Sequence, residues 1–407
     1  MKRCGLLGER LGHSYSPAIH AMLGDYEYRL YECPRDKLGD FLKARDFDGL
    51  NVTIPYKKAV LPYCAELSPM AAAIGSVNTL LRRPDGSLYG DNPDAFGFES
   101  LLRHAGLDPA GRKCLVLGSG GASATVQAVL RQLGAGSVTV ISRGGEDNYG
   151  NLSRHRDAEL LVNTTPVGMY PGNGLAAVDL TAFPNCRGVV DLIYNPARTA
   201  LLLQAERLGI PCAGGLWMLA AQAKRASELF TGSAIPDDVI PCITAALRRE
   251  TENVILIGMP GSGKTTVAMA LAEKLRRPVL DSDAAVEETA GIPIPAIFER
   301  EGEAGFRRRE TAALAELGKR GGIILATGGG SVTRPENYDL LHQNGTILWL
   351  RRDIAKLPTD GRPISQSRDL SELLRERTPA YTRFADHIIE NNGTVEETLC
   401  RILEVLP

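Results

Sequence analysis

The residues with the plainest chemistry lie past the middle of the chain. Gly258-Met259-Pro260-Gly261-Ser262-Gly263-Lys264-Thr265-Thr266 fits the spacing Gly-x-x-x-x-Gly-Lys-Thr. Glycines let successive backbone N–H groups turn inward around phosphate oxygens. A helix opening at the end of the loop adds the partial positive charge of its N-terminus. Lys264 is long enough to reach terminal phosphates, and the Thr265 hydroxyl suits Mg²⁺. The whole run is therefore expected around the phosphates of a nucleotide. Further on, Asp281-Ser282-Asp283 follows Val279-Leu280. Two readings stand there: Asp281 turned toward Mg²⁺ with Asp283 toward a substrate hydroxyl, or an aspartate that caps a helix.

A second glycine-rich turn, Gly118-Ser119-Gly120-Gly121-Ala122-Ser123, follows Leu115-Val116-Leu117. It approximates a dinucleotide fingerprint, although a plain turn would use the same residues. The next apolar run, 138–141, ends in Ser142-Arg143, where a site for NAD usually carries an acid. A cation there suits the 2′-phosphate of NADP. Glu146 and Asp147 close by leave open a second reading of Arg143 as a solvated loop residue.

Such sites need strands that end beside helices, and the chain supplies them. Its 407 residues exceed one ordinary core, so two or more domains are expected. Short β-branched runs alternate with helical patterns in three α/β stretches, beginning near residue 1, at 114 and at 254. Polar Arg248-Arg249-Glu250-Thr251-Glu252 reads as a short join before the last of them. A net charge of -2 gives no reason to expect nucleic acid. No apolar run reaches membrane-spanning length, and Glu9 and Arg10 interrupt the N-terminal one, which reads as a first strand and not a signal peptide. The eight cysteines are scattered and the six histidines form no ligand pattern, so reduced thiols in a cytoplasmic protein and no transition-metal site are expected.

Beyond the phosphate loop come Gly305-Phe306-Arg307-Arg308-Arg309-Glu310, Ala326-Thr327-Gly328-Gly329-Gly330, Gly361-Arg362-Pro363 and Arg377-Thr378-Pro379. In this order they resemble shikimate kinase over about 253–407. The resemblance implies ATP and Mg²⁺ at the loop, with Thr265 and Asp281 on the metal. Asp283 would orient or deprotonate the attacking hydroxyl, and Lys264 would act on the phosphates. Arg307 and Arg377 would clamp a carboxylate, Gly329 and Gly330 would meet substrate hydroxyls, and Arg362 would reach the transferring phosphate from a lid. Arg308 and Arg309 read as a solvated helix face.

Upstream, Ser14-Tyr15-Ser16-Pro17, Asn51-Val52-Thr53-Ile54-Pro55-Tyr56-Lys57, Ser76-Val77-Asn78-Thr79 and Asn92-Pro93-Asp94 are followed by Asn163-Thr164-Thr165 and by Gly215-Leu216-Trp217-Met218-Leu219-Ala220-Ala221-Gln222. Singly, each has a reading as a turn, a cap or a surface residue. Together they resemble shikimate dehydrogenase across 1–248. That resemblance makes Lys57 the proton donor of a ketone reduction, with Asp94 beside it. Ser14, Ser16 and Thr53 would bind a carboxylate, and Asn78 and Gln222 ring hydroxyls. NADP(H) would meet 118–123, Ser142, Arg143, Asn163, Thr164, Gly215 and Met218. Pro93 departs from the family's Asn-Thr-Asp-Gly and should stiffen its turn.

The fold implied is α/β: a two-domain dehydrogenase, with an α/β substrate domain (1–97 and 213–248) and a Rossmann NADP domain (98–212), then a P-loop α/β domain of the NMP-kinase type (249–407). Small-molecule substrates, 3-dehydroshikimate and shikimate, are the expected partners of a monomer or homodimer. Two alternatives remain: a degenerate dehydrogenase-like binding module, and a quinate-using enzyme, which the small Ser14 and Ser16 disfavour.

Overall fold

A computed structural model describes residues 1–12, 14–44, 46–357 and 370–406. Arg362, expected in the lid, lies outside the described residues. The chain divides into two compact units. One comprises Met1–Val167, Ala176–Tyr194 and Gln204–Thr244; the other comprises Gly168–Leu175, Asn195–Leu203 and Ala245–Pro407.

The first unit holds two sheets. Strands β1 (Arg3–Gly8), β2 (Glu27–Glu32), β3 (Gly49–Val52), β4 (Glu66–Leu67), β5 (Thr79–Arg82) and β6 (Leu88–Asp91) form a mixed sheet in the order β2-β1-β3-β5-β6-β4. Strands β7 (Lys113–Leu117), β8 (Ser137–Ile141), β9 (Leu160–Asn163), β10 (Gly188–Asp191) and β11 (Cys212–Gly214) form a parallel sheet ordered β11-β10-β9-β7-β8. The chain leaves β7 in one direction and returns to β9 on its other side. Such a reversal opens a crevice at the carboxyl ends of these two strands, where ligands of open α/β sheets bind. β9 and β10 are buried along their length, as central parallel strands with both faces covered must be.

Two helices join the sheets of this unit. Asp94–His104 packs on Leu216–Thr231 so closely that a Cβ on Gly97 would lie 2.8 Å from the Met218 carbonyl oxygen and 3.0 Å from the Gln222 Cβ. The later helix also reaches the first sheet, where Phe230 fills the space beside Gly49. The expected boundary at 97/98 therefore falls inside a helix.

The second unit contains β12 (Asn253–Ile257), β13 (Val279–Asp281), β14 (Ile324–Ala326), β15 (Gly345–Arg351) and β16 (His387–Glu390), parallel and ordered β13-β14-β12-β15-β16. Residues 248–251, read from sequence as a polar join, are instead the end of the helix Val239–Thr251. Glu252 is buried and accepts hydrogen bonds from Arg248 and Thr346. Gly168–Leu175 and Asn195–Leu203, expected in the Rossmann domain, cluster with this unit. Within it Ala197 N donates to Asn344 Oδ1, Arg198 N to Gln343 O, and Asn173 Nδ2 to Gln343 Oε1. Among the described residues no helix is long and apolar enough to cross a membrane.

Gly97→Val would force the two joining helices of the first unit apart. Its expected cost is about 1–3 kcal/mol of stability, the range for an overpacked contact. A lowered denaturant midpoint in equilibrium unfolding checks it.

Candidate functional site

In the first unit Lys57 Nζ lies 2.5 Å from Asp94 Oδ2, with the two side chains 22 % and 13 % exposed. Asp94 opens the helix Asp94–His104, where a negative charge is favoured by the helix dipole. Pro93 sits just ahead at φ -54°, close to the value its ring enforces, and its carbonyl accepts from Gly97 N at 2.9 Å. The proline therefore fits the turn that presents Asp94. Asn92 fixes the turn from below by donating to Ser76 O at 2.9 Å.

Ser16 N donates to the Ser14 hydroxyl at 3.2 Å, which ties both serines to one turn ahead of the helix Ser16–Ala21. Thr53 is half-buried after β3. Asn78 is buried, and its Oδ1 accepts from Thr79 Oγ1 at 3.1 Å. Gln222 stands against Gly97, one helical turn from Asp94, while its own amide donates to Leu219 O. Sequence reasoning assigned no role to Tyr194, whose ring lies 5.7 Å from that of Tyr15.

At the crevice between β7 and β9, Gly118, Ser119 and Gly120 line one side of a groove of about 550 Å³. Ser142, Arg143 and Tyr149 lie after β8, and Thr164–Val167 after β9. The helix Gly121–Gln132 starts with no side-chain cap, so its first N–H groups remain for a ligand. Gly121 and Ala122 are its first residues. Six expected contacts do not line this groove, Gly121 and Ala122 among them. Ser123 is fully buried on the inner face of the helix, where its hydroxyl accepts from Gln127. Asn163 is fully buried at the end of β9 and bonds Asp191 and Thr165. Gly215 packs its backbone on Leu192 O, and Met218 packs on Gly97.

The acids near Arg143 are partly accounted for. Asp147 Oδ1 pairs with His155 Nε2 at 2.7 Å, and its backbone carbonyl accepts from Ser142 N. Tyr149 was missed; the only signal was an aromatic residue in a polar loop.

In the second unit a cleft of about 820 Å³ opens at the carboxyl ends of β12, β13, β14 and β15. Gly258, Gly261 and Gly263 adopt φ of 147°, 83° and 91°, which other residues would enter only with strain. Met259 is buried beneath the loop, while Pro260, Gly261, Thr265 and Thr266 face the cleft. Lys264 Nζ donates to Gly258 O and Met259 O, so its ammonium lies inside the loop. The helix Lys264–Leu275 also lacks a side-chain cap. Asn391, unnoticed in the sequence, steadies the loop: buried after β16, it donates to Ser262 O at 2.6 Å.

The capping reading of Asp281 is observed, and its other carboxylate oxygen faces the phosphate loop. Its Oδ1 caps the helix Ser282–Ala290, while Oδ2 lies 3.4 Å from Thr265 Oγ1. A carboxylate oxygen and a hydroxyl side by side at the phosphate loop fit a hard cation such as Mg²⁺. Asp283 is more deeply set. Burial, then the charges of Asp281 and Glu310, push its carboxyl up from 3.8 to about 6. Arg307 pairs with Glu310 at 2.7 Å, and burial raises Glu310 as well.

Three glycines run through this charged cluster. A Cβ on Gly328 would lie 2.6 Å from both Asp283 Oδ1 and Glu310 Oε1, and one on Gly330 would lie 2.0 Å from Arg307 Nη2. Arg377 Nη1 and the Tyr381 hydroxyl both donate to Gly329 O. Asp283 Oδ1, Glu310 Oε1 and Arg307 Nε are buried without a protein hydrogen-bond partner. Buried polar atoms are rarely left so, and three around one glycine turn suit a polar ligand. Arg308 is exposed, but Arg309 forks onto Glu301 at 2.7 and 3.0 Å and is only half-exposed.

These features define an α/β dehydrogenase with a dinucleotide groove, followed by a P-loop kinase. A family model for the shikimate dehydrogenase substrate binding domain matches residues 6–80, and one for shikimate kinase matches 260–407. The chain is 36 % identical over 253 residues to the shikimate dehydrogenase (NADP(+)) of Clostridium perfringens, covering 57 % of this chain and 93 % of that protein. Among solved structures, a chorismate mutase/shikimate 5-dehydrogenase fusion protein from Clostridium acetobutylicum aligns with a TM-score of 0.57 at 35 % identity, over 60 % of this chain and 96 % of the other. The shikimate 5-dehydrogenase of Thermus thermophilus, solved with NADP(H) and shikimate, aligns with a TM-score of 0.55 at 34 % identity, over 60 % and 98 %. The chain belongs to the shikimate dehydrogenase family and carries a shikimate kinase domain behind it.

Three outcomes follow. If Asp283 must be ionised, kcat/KM for the kinase acceptor falls about tenfold per pH unit below about 6. The raised carboxyl favours the proton in the fold, so its contribution is fully present below pH 3.8 and is lost as pH rises through about 6. Asp283→Asn should accordingly stabilise the chain at pH 7, not at pH 3, while removing phosphoryl transfer; melts at both values check it. Arg143→Ala should raise KM for NADPH roughly tenfold, the loss of a charge-assisted hydrogen bond, and leave that for NADH nearly unchanged.

Proposed function

We propose that the chain runs two successive reactions: reduction of 3-dehydroshikimate by NADPH to shikimate, then phosphorylation of shikimate by ATP to shikimate 3-phosphate. The observation that carries it is the presence, in one chain, of the Lys57–Asp94 pair in a shikimate dehydrogenase framework and of the Asp283–Arg307–Arg377 cluster beside a phosphate loop. The product of the first site is the acceptor of the second.

In the first unit NADPH supplies hydride to the ketone carbon. Lys57 gives its proton to the oxygen as negative charge develops there, and Asp94 holds the ammonium in place and accepts from a substrate hydroxyl. Ser14, Ser16 and Thr53 supply hydroxyl donors for the carboxylate, and Asn78 and Gln222 amides for ring hydroxyls. Arg143 and Tyr149 flank the 2′-phosphate end of the groove. Because the Lys57–Asp94 geometry is intact, a degenerate binding module is not favoured.

In the second unit Asp283 accepts the proton of the attacking hydroxyl. Arg307 and Arg377 hold the carboxylate, since guanidinium groups grip it in a fork. Lys264 and the loop N–H groups neutralise charge on the phosphates, with Thr265 and Asp281 the residues to hold Mg²⁺. We place the work in the cytoplasm, where eight free cysteines stay reduced.

Separate assays test the reading. Lys57→Ala should lower NADPH-dependent reduction roughly 10²- to 10⁴-fold and spare phosphorylation. Lys264→Ala should do the reverse. No oxidation of NADPH with 3-dehydroshikimate by the unaltered chain would overturn the reductase half.

A further inference from the structure

The segments that bear the reductase residues are joined underneath by Tyr28, Asn51 and Thr79, polar groups that none of the roles above uses. Tyr28, on the edge strand β2, donates to Asn51 Oδ1 at 2.7 Å. Asn51 Nδ2 donates to Thr79 Oγ1 at 3.2 Å, and Thr79 Oγ1 donates to Asn78 Oδ1 at 3.1 Å. Ser16 lies beside the same Tyr28 hydroxyl. The line therefore runs from the carboxylate end of the site to the amide expected on a ring hydroxyl.

Donor order matters along it. A phenol has one proton, a carboxamide has an accepting and a donating end, and a threonine hydroxyl has one proton. With the Tyr28 proton on Asn51 Oδ1, Asn51 must turn its NH₂ toward Thr79. The Thr79 proton then goes to Asn78 Oδ1, which leaves Asn78 its N–H donors.

Tyr28 is itself held. Its ring stacks on His20 at 4.0 Å and 11°. His20 Nδ1 hydrogen-bonds the Tyr26 hydroxyl at 2.6 Å, and Tyr26 donates to Ser227 at 2.9 Å on the helix that carries Gln222. His20 is buried, and burial holds it down to about 3, so it stays neutral in this stack at working pH.

We propose that Tyr28 is a positioning residue for substrate recognition: its hydroxyl sets the polarity of the Asn51–Thr79–Asn78 line, so that Asn78 offers donors and not its carbonyl to a ring hydroxyl of the substrate. This rests on the reading of the first unit as a 3-dehydroshikimate reductase.

The experiment is steady-state kinetics on the full chain and on Tyr28→Phe, Asn78→Ala and the double variant. Phenylalanine keeps the stack on His20 and removes only the hydroxyl. KM for 3-dehydroshikimate should rise roughly fivefold, the factor that one hydrogen bond of about 1 kcal/mol makes. KM for NADPH, the kinase rate and the melting midpoint should hold. In the Asn78→Ala background the same change should cost distinctly less, because the residue it acts through is gone. An unchanged KM, effects that simply multiply, or a KM that rises only together with a fallen melting midpoint overturns the proposal. An unaltered chain that fails to turn over 3-dehydroshikimate overturns the functional reading instead.

Discussion

Both nucleotide sites depend on one constraint: a helix that starts immediately after a parallel strand has N–H groups that nothing in the helix can satisfy. Three other helices of the chain close such ends with a side chain. Ser68 caps Pro69–Ile74, Asp281 caps Ser282–Ala290, and Thr394 with Glu397 forms a capping box on Val395–Val405. The helices Gly121–Gln132 and Lys264–Leu275 follow glycine turns and carry no side-chain cap. Their open ends stand where strand order reverses or where several strand ends meet, so the donors are concentrated beside a cleft.

The second constraint is the treatment of charge. In the kinase cleft a buried arginine, a buried and a half-buried carboxyl and a glycine turn are packed so that Asp283, Glu310 and Arg307 each keep one polar atom unsatisfied. Removing charges from water costs several kcal/mol per ion unless partners replace the water. Arg307 and Glu310 satisfy part of that need mutually, and the remainder is consistent with a site completed by its ligand. The reductase site uses the milder solution of a partly exposed ion pair on a helix N-terminus.

Much of this was readable in the residues. The strands at 114–117 and 254–257, both glycine turns and the order of the motifs follow from local pattern, because alternation of apolar runs and turn residues is a property of neighbours along the chain. Ser123 and Asn163 show where that ends. Each sits inside a motif, yet each faces inward, and motif membership says nothing about which side of a helix or strand meets the ligand. Asn391 and Tyr28 were invisible for the opposite reason. They act on residues 129 and 23 positions away in the sequence, Ser262 and Asn51, and lie in no glycine-rich or charged run.

By itself, the sequence determined the family, the reactions implied by it and the identity of the chemical groups, because side-chain type and spacing already specify which phosphate, proton or carboxylate chemistry is available. Only the tertiary structure decided which of those groups converge. The 2.5 Å approach of Lys57 to Asp94, the raised carboxyl of Asp283 and the run of residues 248–251 as helix depend on burial and on contacts between distant segments. Desolvation and donor geometry arise when segments pack, so they have no counterpart in the order of residues along the chain.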